Sequence, residues 1–409
     1  MGAAKQSEFN VVVVGAGPSG LVLALLLAKQ GIPVTVLEKS DEYDKQPRAS
    51  FYSAPAIYEL QRAGVMDEVY ARAFHANGVS WRHIDGTLIA NIYAEDAPEE
   101  DRMVSLPLDE LIPLIASHLE KQPGAQILLE HEVLASGQDE HQAWVDVKTP
   151  DGERRFSATY IVGCDGGSSK IRRDLFGKSF PGHTWDQQVV ATNVYYPGLA
   201  KYGWKLSSNF LVSSEHFPMV AQISNDGMLR VTYGEDGNLT REEMLARQPE
   251  KYKAFLPGKP EPHEYQIVNF SPYKIHQRLA EKLRVGRFLL AADAAHLCNP
   301  YGGMGLTGGF ADVGGLYDCL YGIYAGRADD SILDKYDVVR REKYRDVIDP
   351  ISSSNLRRLW DLEAIEQDQF FQMARRMETD KAFAREMQGG MRAVMHDFTQ
   401  YYEPLPSGV

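Results

Sequence analysis

The chain has 409 residues, 44% of them hydrophobic and 24% charged, a soluble globular composition with room for two or three domains. Its formal net charge of −13 argues against nucleic acid or an anionic membrane as the main partner, so an anionic ligand must be held by local dipoles and a few placed arginines. Cys164, Cys298 and Cys319 are too few and scattered for a disulfide framework or a zinc site, and the short polar N-terminus carries no secretory signal. The longest apolar run, Leu21 to Ala28, falls far short of the ~20 residues that span a bilayer, so a cytoplasmic protein is expected.

Near the N-terminus an apolar strand (Phe9 to Val14) runs into Gly15-Ala16-Gly17-Pro18-Ser19-Gly20 and an apolar helix to Gln30. A second strand, Pro33 to Leu37, ends on Glu38. This is the fingerprint of a dinucleotide-binding βαβ unit. Gly15 permits the tight turn, Gly17 admits a pyrophosphate, Gly20 lets helix and strand pack, and Glu38 suits the two hydroxyls of an adenosine ribose. The loop alone leaves FAD and NAD(P) open. Arg48, beyond a polar stretch, is placed to reach a pyrophosphate or to be a solvated arginine.

Periodicity predicts helices over Ser53 to Ala73 and about Pro107 to Gln122, with two short strands around Asp85-Gly86 between them. Gln126 to Leu134, Ala143 to Lys148 and Arg155 to Val162 read as a small β-meander. Ile161 to Gly163 leads into Cys164-Asp165-Gly166-Gly167, where Asp165 suits either a turn or a ligand. From His183 to His276, short alternating runs and Asp-Gly turns predict a mostly antiparallel sheet, followed by a Pro-rich connector (Pro249 to His263). Then comes Ala292-Asp293-Ala294-Ala295-His296, followed by Asn299-Pro300-Tyr301-Gly302-Gly303-Met304-Gly305-Leu306-Thr307-Gly308 and an apolar helix. Such a loop lets a flat ring lie against backbone, with the helix dipole favouring negative charge there. From Asp334 the pattern is charged and helical.

Together the three motifs resemble those of single-component (class A) FAD-dependent aromatic hydroxylases of the p-hydroxybenzoate hydroxylase type. The resemblance implies an α/β fold: a Rossmann-like, glutathione-reductase-like FAD-binding domain (1–73, 101–182 and 277–333), an antiparallel-sheet substrate domain (74–100 and 183–276) and C-terminal helices (334–409). It implies FAD at Gly15, Gly17, Gly20, Glu38, Arg48, Asp165, Gly166 and Asp293. The flavin ring would lie by Pro300, Gly302, Gly303, Met304, Gly305, Leu306 and Thr307. It further implies reduction by NADPH or NADH, and oxygenation of an aromatic, phenolic or polyketide-like molecule through a C4a-hydroperoxyflavin.

Three departures stand out: Ala292 where the family usually has Gly, Thr307 where it has Asn, and aromatic Tyr301 at a position often small. His296 suits a proton relay or a structural hydrogen bond. Tyr195, His216, Arg230 and Tyr233, from the sheet, and Tyr301 are the substrate-contact candidates, and a monomer or homodimer is expected. The rival readings are a soluble FAD-dependent epoxidase or ring-modifying enzyme and a flavin-binding, redox-gated interaction protein. A flavin-dependent halogenase would need a Trp-x-Trp-x-Ile-Pro segment, which the sequence lacks.

Overall fold

A computed structural model of the chain describes residues 9–46, 51–360, 365 and 367–404. Arg48 lies outside the described residues. The four valines of Val11–Val14 are all buried, as a strand covered on both faces requires. It pairs in parallel with Val34–Leu37 on one side and Tyr160–Gly163 on the other. Ala125–Leu128 and Phe288–Leu290 extend the parallel sheet, and Arg284–Val285 closes one edge antiparallel. Helix Pro18–Ala28 is buried from Ser19 to Ala28, packed against helices Leu108–Leu119 and Met304–Tyr324. Its all-round apolar sequence is thereby explained.

The meander exists, but two of the runs that predict it are composite. Ala125–Leu128 belongs to the parallel sheet and Glu132–Gln138 to the meander; likewise Gly152–Ala158 ends the meander and Tyr160–Gly163 returns to the parallel sheet. Each apolar run hides a change of partner, which hydrophobic patterning cannot show.

A second, eight-stranded sheet runs from His296–Leu297 through Gln266–Leu279, Gly182–Tyr195, Met228–Asp236, Met219–Gln222, Ser208–Val212 and Gly78–His83 to Leu88–Tyr93. All its pairings are antiparallel except Ser208–Val212 with Gly78–His83. The first part of the expected connector from Pro249 to His263 is instead helical: Arg241–Phe255 runs through Pro249. A reciprocal capping box between Thr240 and Glu243 starts this helix, and Met244, Tyr252 and Phe255 bury one side of it against the sheet. Packing outweighs the proline penalty there.

Beyond Tyr324, helices Ile332–Lys343 and Asp349–Arg358 are joined by a π-helical turn over Tyr344–Ile348, and Gln369–Thr379 and Lys381–Gln388 follow. Among the described residues, no helix is long and apolar enough to cross a membrane.

Helix Ala54–Ala63 meets helix Met304–Tyr324 through a buried charged cluster. Arg62 donates to both Glu59 oxygens, at 3.0 and 3.1 Å, and to Asp318. Burial, opposed by Arg62, pushes the Glu59 carboxyl up to about 7 and that of Asp318 to about 6. Carboxyls raised in the folded state stabilise it fully below their unfolded values, and that contribution is lost as pH rises through the folded ones. Wild-type melting temperature is therefore expected to decline from about pH 5 to 7, with Glu59 accounting for up to about 3 kcal/mol of the change. Melting curves of Glu59→Gln across that range should be distinctly flatter; an unchanged slope would remove Glu59 from the account.

Candidate functional site

The three glycine-bearing motifs lie against one another at the ends of the central strands. Gly15 has φ +107°, and a Cβ there would meet the Cys164 carbonyl oxygen at 2.5 Å and the Asp165 Cα at 2.9 Å. The first loop thus rests directly on the Asp-Gly motif. A Cβ on Gly20 would collide with the Gly15 carbonyl, whereas one on Gly17 would meet no atom within 4 Å. Glu38 accepts from Ala16 N–H at 2.9 Å and Ser40 N–H at 3.0 Å, so its carboxylate holds the loop it follows.

Asp165 accepts through Oδ2 from Lys170 N–H (2.6 Å) and Ile171 N–H (3.2 Å), while its buried Oδ1 has no hydrogen-bond partner among the described residues. Burial raises its carboxyl above the usual range, against the pull of the nearby Ser169 hydroxyl and of these N–H donors. Gly166 follows at φ +76°. Arg172, 5% exposed, ties this motif to the third one: it donates to Ala294 O at 3.0 Å and Gly167 O at 2.7 Å.

In the third motif, Ala292–Ala294 forms a short 3₁₀ turn that places Asp293 at the surface. Ala292 adopts φ +56°, a left-handed conformation that costs an L-residue about 1–2 kcal/mol and explains why glycine suits this position. A Cβ on Gly309 would meet the Ala292 Cβ at 2.8 Å and Ser19 Oγ at 3.0 Å, so the third motif also touches the first helix. Pro300–Gly302 makes a second 3₁₀ turn, and Gly303, at φ +62°, opens helix Met304–Tyr324. A Cβ on Gly303 would meet nothing within 4 Å, and one on Gly305 only Cys298 Sγ at 4.0 Å. Burial pushes the Cys298 thiol up to about 12, so it is neutral and unreactive at physiological pH.

Met304 points away from this surface, into a core with Tyr344, Ile348 and Val394, and Leu306 is partly buried. Thr307 directs its hydroxyl to Ser53 Oγ at 2.9 Å. Its side chain thus fixes the start of helix Ala54–Ala63.

His296 is 2% exposed and its Nε2 lies 2.7 Å from Asp312 Oδ2. The same oxygen accepts Ala292 N–H at 2.9 Å, and Oδ1 accepts Arg340 Nε at 2.7 Å. Burial opposes ionisation of Asp312, but His296 and Arg340 prevail and hold its carboxyl below the usual range. Asp312, Arg340 and Arg172 were given no role by sequence reasoning. The available signal for Asp312 was an acid standing in the apolar run from Gly308 to Leu316.

The substrate candidates separate. Tyr233 faces Tyr252 and Phe255, in the core beneath helix Arg241–Phe255, and His216 lies 3.2 Å from Lys251 Nζ on that helix. Arg230 alternates to the other face, donating to Asn193 at 2.8 Å, and Tyr195 bonds Asp226 at 2.6 Å near the strand end. Tyr301 is buried against Phe217 in a separate core formed by the sheet and the C-terminal helices. The structure therefore does not gather these candidates into one site.

These features fit FAD. Gly17 and Gly303 face outward with room beside the backbone, the buried Asp165 Oδ1 has an unused acceptor, and helices Pro18–Ala28 and Met304–Tyr324 begin without side-chain caps or acidic first turns. Comparison with known proteins agrees. A family model described as an FAD binding domain matches residues 8–350. Para-nitrophenol 4-monooxygenase from Pseudomonas sp. (strain WBC-3) is 35% identical over 400 residues, 97% of this chain and 96% of that protein. The 6-hydroxy-3-succinoylpyridine 3-monooxygenase of Pseudomonas putida (strain DSM 28022 / S16) is 34% identical over 86% of this chain and 89% of its own length. The crystal structure of p-nitrophenol 4-monooxygenase from Pseudomonas putida DLL-E4 superposes with a TM-score of 0.89 at 33% identity, covering 94% and 98% of the two chains.

Two stability tests follow from the Asp312 network. Asp312→Asn leaves Arg340 buried without its counter-charge and should destabilise by about 3–5 kcal/mol in chemical unfolding; a loss under 1 kcal/mol would demote the network. Ala292→Gly relieves the left-handed strain and should raise stability by up to about 1 kcal/mol, which a lowered melting temperature would contradict. With its motifs converging at one site and its whole length matched by such relatives, the chain belongs to the FAD-binding family of class A aromatic hydroxylases and is an FAD-dependent monooxygenase of an aromatic small molecule.

Proposed function

We propose that the protein is a cytoplasmic enzyme that hydroxylates a substituted phenol at the expense of NAD(P)H and dioxygen. The observation that carries this reading is the near full-length match to a monooxygenase named for a nitrophenol, combined with the convergence of the three motifs. Bound FAD supplies the activation of dioxygen that no side chain can perform. We assign the ADP end of the cofactor to Gly15, Gly17, Gly20 and Glu38, its middle to Asp165, Gly166 and Asp293, and the ring to the backbone from Pro300 to Thr307. The strands 78–93 and 182–279 would supply the opposing wall.

In this reading the chain's own residues do three things. The uncapped start of helix Met304–Tyr324 favours negative charge beside the ring, a dipole effect worth up to about 2 kcal/mol when partly buried. The apolar cluster around Tyr301 and Phe217 excludes water from the reaction. His296, with Nε2 committed to Asp312, acts as a positioning residue that fixes the turn leading to Pro300, not as a proton relay.

Purified, FAD-loaded protein should oxidise NADPH or NADH faster, with matching oxygen uptake and a hydroxylated product, when given members of a panel of para-substituted phenols that includes 4-nitrophenol. A panel in which no compound stimulates both would defeat the hydroxylase reading; turnover of alkenes alone would favour an epoxidase. Gly15→Val adds a side chain where even a Cβ meets the Cys164 carbonyl at 2.5 Å, at a φ that valine avoids. It should purify with little or no FAD, and full flavin absorbance would refute the placement of the ADP end.

A further inference from the structure

The core between the eight-stranded sheet and the C-terminal helices contains a continuous run of aromatic rings. Tyr301 lies 5.9 Å from Phe217, Phe217 lies 5.5 Å from Trp360, and Trp360 lies 5.4 Å from Trp185, the last two pairs edge-on. Three polar atoms in this run, Tyr301 Oη, Trp360 Nε1 and Trp185 Nε1, are buried without a hydrogen-bond partner among the described residues. Tyr301 as a whole is only 3% exposed.

A buried donor left unpaired costs about 1–3 kcal/mol, and native proteins keep few of them. Three on one run of touching rings are a set of donors awaiting acceptors. Backbone strain marks the same place. Phe217, the ring that links Tyr301 to Trp360, has φ +29°, and a Cβ on Gly234 would meet its ring at 2.0 Å, so that position has no side chain where Phe217 lies. Strain of this kind persists where the surroundings impose it and clusters at ligand sites.

The donors are all neutral. Burial, with a contribution from Tyr273, keeps the Tyr301 hydroxyl protonated far above neutral pH. Of the guanidiniums bordering the run, Arg358 donates to Asp368 at 2.9 Å and Asn355 at 2.7 Å, and Arg357 lies over the Trp185 ring at 5.5 Å, at the end of the run opposite Tyr301. Neutral donors in an apolar box satisfy oxygens of dispersed or partial charge, but they do not repay the desolvation of a localised carboxylate. Tyr301 directly precedes Gly302 and Gly303, so the backbone at the Tyr301 end of the run is continuous with the loop assigned to the flavin ring.

We propose, resting on the reading of the chain as a phenol hydroxylase, that Tyr301, Trp360 and Trp185 select aromatic substrates whose substituent presents neutral or charge-dispersed oxygen acceptors, nitro or carbonyl, in preference to carboxylate. Tyr301 is the determinant of that choice, through its hydroxyl.

The test compares FAD-loaded wild type with Tyr301→Phe, which removes one oxygen and keeps the ring. Calorimetric titrations with 4-nitrophenol, 4-methylphenol and 4-hydroxybenzoate give the affinities. Wild type should bind 4-nitrophenol at least tenfold tighter than the other two. In Tyr301→Phe, 4-nitrophenol should weaken by about tenfold, the worth of one neutral hydrogen bond, while 4-methylphenol changes less than twofold. The ligand-free variant should melt at the same temperature or higher, because it no longer buries an unpaired hydroxyl. Trp360→Phe provides a second donor deletion, expected to shift the nitrophenol-to-cresol ratio in the same direction. Phenols that bind and turn over with a ratio untouched by Tyr301→Phe would overturn the donor box alone. Wild type that binds or turns over no phenol would overturn the hydroxylase reading and the box with it.

Discussion

The site depends on one buried carboxylate. Asp312 has no exposed surface, and an isolated charge in that position would be prohibitive. It is tolerated because three groups from two segments converge on it: the Ala292 amide and the His296 ring from the Asp293 motif, and the Arg340 guanidinium. Arg340 in turn donates to the carbonyl of Val394 at 2.5 Å. One charge therefore joins the Asp293 turn, the flavin-loop helix, the following helix and a segment close to the C-terminus. Asp312 also holds the left-handed Ala292 in place by its N–H, and this sets the direction in which the chain leaves strand Phe288–Leu290 toward Asp293.

Around this anchor the surface for the cofactor is made largely by the absence of side chains. Gly15 rests on Cys164 and Asp165, Gly20 on Gly15, and Gly309 on Ala292 and Ser19. These contacts draw backbone from residues about 15, 165 and 300 into one place, where amide groups and helix ends supply the polarity that the net charge of −13 withholds. Arg172 adds a clamp across two of the motifs. It replaces backbone pairing that irregular turns cannot supply themselves.

Much of this was legible in the sequence because glycine spacing reports backbone geometry directly. Gly15 and Gly20 serve the turn and packing roles that their spacing implies, and the acid ending the second strand folds back onto the loop. The family and its cofactor followed from the order of the three motifs. What was hidden depends on tertiary contacts. The replacement of glycine by Ala292 falls on a left-handed residue, which the sequence does not show. Tyr233 read as a substrate contact, but strand alternation carries it beneath a helix whose existence the proline at 249 concealed. Trp185 and Trp360 lie 175 residues apart and meet only in the fold. No local pattern brings them together.

The order of strands in the parallel sheet bears on how the chain is made. Tyr160–Gly163 has Val11–Val14 on one side, but its other edge is covered by Phe288–Leu290, which is synthesised more than a hundred residues later. The second sheet is similarly delayed, since Gly78–His83 waits for Ser208–Val212 as its parallel neighbour. A nascent chain therefore carries open strand edges through most of its translation, and contacts of such sequence separation form slowly. The chain must be made as far as Leu290 before the first sheet can close and as far as Leu297 before the second can. Expression yield should accordingly respond to chaperone supply and growth temperature more than the stability of the finished fold would suggest.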